Sequence, residues 1–163
     1  MSLIPSNALH PHLLAYAAGS PIVSTLPTLI TANDGITDSV AVTGETIDTL
    51  AQRGDSMIFG VVCAAYCSDG KTLKVAAELQ ESSNGSAWDT AEALYAATTI
   101  CTGTASVNTL HGVKIAHVDM RMRKRYIRFN FTPNLSSTAS PATDFATAGG
   151  FALMGGGKVV PTF

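Results

Sequence analysis

A chain of 163 residues is long enough for one domain that buries roughly 70% of its unfolded surface, so its core needs no metal or disulfide staple. Hydrophobic residues make up 46% and charged residues 13%, against a usual charged fraction of about 25%, which predicts apolar surface covered by partners or sister subunits. The formal charge of −2 excludes a globally basic nucleic-acid binder and a strongly acidic mimic of one.

Residues 1–50 hold four of the seven prolines (Pro5, Pro11, Pro21 and Pro27) and no Lys or Arg. Proline lacks an amide donor and resists regular structure, so this segment reads as an extended N-terminal arm and residues 51–163 as the body. Its apolar residues, among them Leu13, Leu14, Ile22, Val23, Leu29 and Ile30, are too many for a freely solvated coil. The arm is therefore expected to dock on the body or on a neighbour. No Lys or Arg precedes Arg53, so the positive start of a secretory signal is missing, and the run 13–18 is too short to cross a membrane. Synthesis in the cytoplasm without export is the expectation. His10 and His12 flank Pro11 with no acidic or thiolate neighbour in sequence to complete a metal site.

Strand-length segments separated by turn signals follow, at 39–43, 57–67, 72–82, 106–113 continuing through 115–120, 125–132 and 150–154. Arg53-Gly-Asp-Ser56 is read as a turn into the second of these; it spells an integrin-binding tetrapeptide too short to be specific, and no Asp-x-x-His follows to make Gly54-Asp55-Ser56 a hydrolase block. Cys63 and Cys67 share a face of that strand about 13 Å apart, so they cannot bridge each other, and the three cysteines read as reduced core residues. In the next strand Leu73, Val75, Ala77 and Leu79 alternate with Lys74, Glu78 and Gln80, one dry face and one wet. Asn84-Gly85 marks a tight turn, and Trp88 after it reads as a buried anchor. The alanine-rich segment 89–98, with Asp89 and Glu92 at capping-box spacing, is either a short helix or the strand that completes the hairpin.

His111 and His117 would lie about 20 Å apart on an extended strand, too far to share a ligand. Ile127, Phe129 and Phe131 alternate with Tyr126, Arg128 and Asn130, and Pro133-Asn134 is read as the stop. Gly155-Gly-Gly-Lys158 lacks both the first glycine and the Ser or Thr of a phosphate loop, Ala152 and Val159 standing there instead. Arg121, Arg123, Lys124, Arg125 and Arg128 are half of the basic residues, packed into eight positions. They form either a solvated turn or the candidate partner-binding site, since guanidinium groups pair bidentately with carboxylate or phosphate. Tyr126 alone gives no aromatic ladder for single-stranded nucleic acid.

The run Thr72-Leu-Lys-Val-Ala-Ala-Glu-Leu-Gln-Glu-Ser-Ser-Asn-Gly-Ser-Ala-Trp88, then Lys124-Arg-Tyr-Ile-Arg-Phe-Asn-Phe131 and Ala148-Gly-Gly-Phe-Ala-Leu-Met-Gly-Gly-Gly157, resembles structural proteins of tailed bacteriophages. It is most similar to the small jelly-roll decoration, or cement, proteins of the Bordetella phage type. The resemblance covers roughly residues 57–157 and implies a β-sandwich that trimerises on the outside of the shell and clamps neighbouring major capsid subunits. It implies no catalytic residue, no cofactor and no metal. The sequence reading is thus an all-β protein, an antiparallel β-sandwich or jelly roll with an extended N-terminal arm. It is expected to be a non-enzymatic virion component with itself and the major capsid protein as partners, and no membrane or nucleic acid. A phage tail or head-to-tail joining protein is the alternative, followed by a carbohydrate-binding sandwich.

Overall fold

The computed structural model describes residues 22–23, 25, 27–32, 34, 36–52, 55–106, 109–136 and 144–155. Among the described residues there are nine strands, β1 (Ile22–Val23), β2 (Thr28–Thr31), β3 (Ile47–Asp48), β4 (Ser56–Tyr66), β5 (Thr72–Ser82), β6 (Glu92–Thr102), β7 (Thr109–Asp119), β8 (Tyr126–Leu135) and β9 (Phe145–Gly155), and one single-turn helix, α1 (Thr49–Gln52). Sheet A runs β1-β9-β4-β7, with β2 also on β9, and sheet B runs β3-β8-β5-β6. Ile22 pairs with Ala152 and Thr28 with Ala148, so β1 and β2 lie end to end along one edge of β9 and act as a single interrupted strand. Counted that way, there are two four-stranded antiparallel sheets, and the first strand lies beside the last and the second beside the next to last. This is the jelly roll of two nested Greek keys, and the expected all-β sandwich is the fold observed.

The core follows from strand alternation. Met57, Phe59, Val61, Cys63 and Ala65 of β4 face Ile127, Phe129, Phe131 and Leu135 of β8 together with Leu73, Val75, Ala77 and Leu79 of β5, all buried. Phe59 stacks on Phe129 across the sheets, ring centroids 5.0 Å apart. On β9 the inward positions are Ala146, Ala148, Gly150, Ala152 and Met154, small at all but the last because the space is taken. A Cβ at Gly150 would lie 3.3 Å from the Phe129 ring and 2.9 Å from the Thr25 hydroxyl.

Of the two alternatives for the segment 89–98 the strand is observed: Glu92 opens β6 and pairs with Arg123 in place of capping a helix. Other elements differ from the sequence expectation. Strand β8 passes through Pro133 to Leu135. The Pro133 carbonyl accepts from the Ser39 amide at 2.8 Å, so its missing N–H points to that same open side and breaks no bond to β5. Strand β9 starts at Phe145, five residues before the expected 150. Residues 39–43 contribute only one bridge, Val42 to Phe131. Within the first fifty residues, β1, β2 and β3 belong to the two sheets, with Ile30 fully buried; residues 1–21, with His10 and His12, lie outside the described residues.

Candidate functional site

The two sheets have opposite kinds of outer surface. On sheet B the outward side chains of β5 and β8 include Lys74, Glu78, Gln80, Arg128, Asn130 and Asn134. Three of them meet at one acceptor: Arg128 Nε and Asn130 Nδ2 donate to Gln80 Oε1, each at 2.9 Å. The Arg128 guanidinium also sits 4.3 Å over the Trp88 ring, a cation–π contact. Trp88 is therefore a partly buried cover on this wet face, where the sequence reading had it inside the core; its ring is held by the outward-facing Arg128.

On sheet A the outward positions of β4, the central strand, are Ile58, Gly60, Val62, Ala64 and Tyr66, apolar on the side where a solvated sheet would alternate to polar. Register aligns them into rungs across β7, β4 and β9: His117–Ile58–Leu153, Ile115–Gly60–Phe151, Val113–Val62–Gly149, His111–Ala64–Thr147 and Thr109–Tyr66–Phe145. None of these fifteen side chains carries a carboxylate, ammonium or guanidinium group. Val62 is 48% exposed, Val113 59%, Ile115 45% and Phe145 50%, and Leu29 on the β2 edge 59%. Glycine shapes the face at two rungs. A Cβ at Gly60 would meet the Phe151 ring at 2.3 Å, so Phe151 lies flat across the strand. At Gly149 the missing side chain, with Pro27 beside it, opens a shallow groove of about 440 Å³ lined by Pro27, Val62, Ala64, His111, Thr147 and Gly149 among others. Contiguous apolar surface of this kind marks an interaction site.

The basic cluster lies elsewhere, at the end of the sandwich where β7 turns into β8. Each of its five members has a partner within the chain. Arg121 holds Asp119, and those hydrogen bonds keep the Asp119 carboxyl down at about 2. Arg123 bridges Glu81 and Glu92, which lowers the Glu92 carboxyl below its ordinary value and raises the guanidinium. The Lys124 amide donates to Glu81 at 3.1 Å and its ammonium meets Asp89. Arg125 grips both Asp48 oxygens, its closest contact 2.8 Å, and stacks over Tyr126. Arg128 takes Gln80 and Trp88 as above. Exposure divides them: Arg121 is 69% and Arg125 48% exposed, whereas Arg123 is 22% exposed and Glu81 16%. Neither the sequence motifs nor the spacing revealed these partners, because Glu81, Glu92 and Asp48 come from three other strands.

Cys63, Cys67 and Cys101 are buried free thiols, in the core as the sequence reading places them. Burial pushes Cys63 up to about 12 and Cys67 to about 11. His111 and His117 are exposed on the outer face of sheet A. Among the described residues no group of three or more His, Cys, Asp or Glu is placed to hold a metal ion. Arg53, Gly54 and the stretch beyond Gly155 lie outside the described residues.

No protein-family model matches the chain, and a search of curated proteins finds no match. Solved structures give viral shells. The chain is similar to the structure of the Gt strain of infectious bursal disease virus (16% identity, TM-score 0.49, 87% of this chain and 32% of that one). It is also similar to the D431N mutant VP2 protein of that virus in T=1 particles (15% identity, TM-score 0.47, 86% and 32%). A xylanase 10B fragment of Clostridium thermocellum with its CBM22-1 and GH10 modules is similar at 14% identity and TM-score 0.38, over 87% of this chain and 30% of that one. The chain thus spans about a third of the length of each. Likeness at these identities and TM-scores carries no weight for function.

Proposed function

We propose that the chain is a structural virion protein of a tailed phage that docks on the outside of the capsid and stabilises contacts between neighbouring major capsid subunits, acting by burial and not by catalysis. The observation that supports this is the outer face of sheet A. Three eleven-residue strands at about 4.8 Å spacing and about 3.4 Å per residue make a flat area on the order of 500 Å² before side-chain relief is added. One partner's share of a standard interface is about 800 Å², so this face with its β2 edge is the right size for one specific contact. The sequence resemblance to phage cement proteins points the same way. In this reading the protein is a homotrimer made in the host cytoplasm, residues 1–50 serve as an arm in addition to the strands they supply, and residues 51–163 form the docking body. Arg121, Lys124 and Arg125, the exposed members of the basic cluster, exchange their carboxylates for acidic groups of the shell at the rim, while Arg123 and Arg128 hold the turn in shape.

The test is binding to particles stripped of this protein, followed by sedimentation. Val113→Lys combined with Ile115→Lys places two charges on the exposed side of an edge strand without touching the core. The variant is expected to melt close to wild type and to bind at least tenfold more weakly, because each ammonium would have to be desolvated. Arg121→Ala with Lys124→Ala should give a smaller loss that disappears at high salt. Undiminished binding by the double lysine variant would remove sheet A as the docking face.

A further inference from the structure

We propose that Cys63 and Cys101 are a thiol pair poised to close into a disulfide between the two sheets, an oxidation site on the β6–β7 side of the sandwich. Cys63 belongs to β4 in sheet A and Cys101 to β6 in sheet B. Their sulfurs are 3.6 Å apart, with only 6% and 4% of each residue exposed. A disulfide of about 2 Å asks the sulfurs to close by roughly 1.5 Å, a displacement on the scale of a side-chain adjustment. The approach of the two strands is built into the sequence at Gly112, the register partner of Cys63. A Cβ there would lie 3.1 Å from the Cys101 sulfur and 2.2 Å from Ile100 Cγ2, so any other residue would push β6 away. The pair lies beside β7 and β6, the edge strands of the two sheets, whose local opening admits a small reagent.

The chemistry is thiol–disulfide exchange with a low-molecular-weight disulfide as oxidant. Cys63 loses its proton to solvent and attacks one sulfur of the reagent, forming a mixed disulfide and releasing one thiolate. Cys101 then loses its proton, attacks the Cys63 sulfur and expels the second thiolate. The protein gives up two protons and two electrons, and the reagent is reduced to two thiols. Burial raises the Cys63 thiol, so its attacking thiolate is scarce near neutral pH, and the pair reacts slowly and stays reduced in a reducing compartment. The loop closed by the bond spans 38 residues, so an upward melting shift of about 5–15 °C is expected for the oxidised chain.

Treating the folded wild-type protein with dithiodipyridine tests this. Release of two pyridine-thiones per cross-link, a product lighter by two hydrogens, a peptide map joining Cys63 to Cys101, and a melting rise reversed by dithiothreitol are the expected results. A pyridyl adduct persisting on Cys63, a link from Cys63 to Cys67, or reaction only under unfolding conditions would overturn it. A Cys67→Ala variant should behave as wild type; if it does not fold, the wild-type peptide map still decides. The outcome is independent of shell binding, because the cross-link is read on the isolated chain.

Discussion

Phe129→Ala is the sharpest test of how the two sheets are held. Phe129 is fully buried, stacks on Phe59 at 5.0 Å with the rings 14° from parallel, and lies in contact distance of the position a Cβ would take at Gly150. The ring is held against β4 and β9 of the opposite sheet, so the backbone around it has little room to collapse into the vacated volume. Truncation of a buried phenylalanine costs about 3–5 kcal/mol, and for a domain of this size each kcal/mol moves the midpoint by about 2–4 °C. A fall in Tm of roughly 6–20 °C is expected by calorimetry at one fixed protein concentration, since an assembling protein has a concentration-dependent midpoint. Phe145→Ala is the control: Phe145 is half exposed and stacks on Tyr66 at 5.6 Å on the outer face, a pair worth about 0.5–1.5 kcal/mol. If Phe129→Ala melts within about 2 °C of wild type, or if the two variants lose equally, the inward register of β8 is wrong.

Arg123→Met should destabilise by about 1–3 kcal/mol in urea titrations, because it strands the mostly buried Glu81 without its cation; an unchanged midpoint would show that the bridge to Glu81 and Glu92 is incidental. The Glu92 carboxyl is lowered in the folded state, so its contribution is present above its unfolded value, about 4.3, and fades as pH falls below it; wild-type stability should lose this increment on acidification and the Arg123 variant should not. The buried thiols act at the other end of the scale. Cys63 and Cys67 are raised from 9.0 to about 12 and about 11, so from pH 9 upward the unfolded chain sheds protons that the folded chain keeps. Stability should therefore fall by about 1.4 kcal/mol per pH unit per thiol across that window, and Cys63→Ala should flatten the slope. Sedimentation at micromolar concentration is expected to show a closed trimer; a stable monomer there would count against the assembly reading.

What could be read from the sequence was set by where side-chain alternation is strict. Strands β5 and β8 alternate large apolar with polar residues, and both were legible to within three residues. Strand β9 begins Phe145-Ala-Thr-Ala-Gly-Gly, in which the alanines and glycines have weak strand preference; Gly150 fits the space left by Phe129 and Thr25, a tertiary reason no local pattern carries. Strand β6 has the composition of a helix, and its pairing with β5 is irregular at three places, so only the partner strand decides its state. The low charge pointed to covered apolar surface but not to its address. Ile58, Val62 and Ala64 look like core residues in sequence, because a strand apolar on both sides reads as buried on both sides. The basic cluster was visible as five residues, while Asp48, Glu81, Asp89 and Glu92, its carboxylate partners distant in sequence, were not.

The pairing of Ile22 with Ala152 and of Thr31 with Phe145 joins the two ends of the described chain along a single edge. Strand β9 lies between that edge and β4, so sheet A cannot close until β9 has been synthesised, and such long-range pairing forms slowly. The apolar rungs of β4 and β7 consequently have no finished platform until β9 has paired. The outer face of sheet A is thus completed by a late long-range step, and that order limits sticky encounters between half-folded molecules.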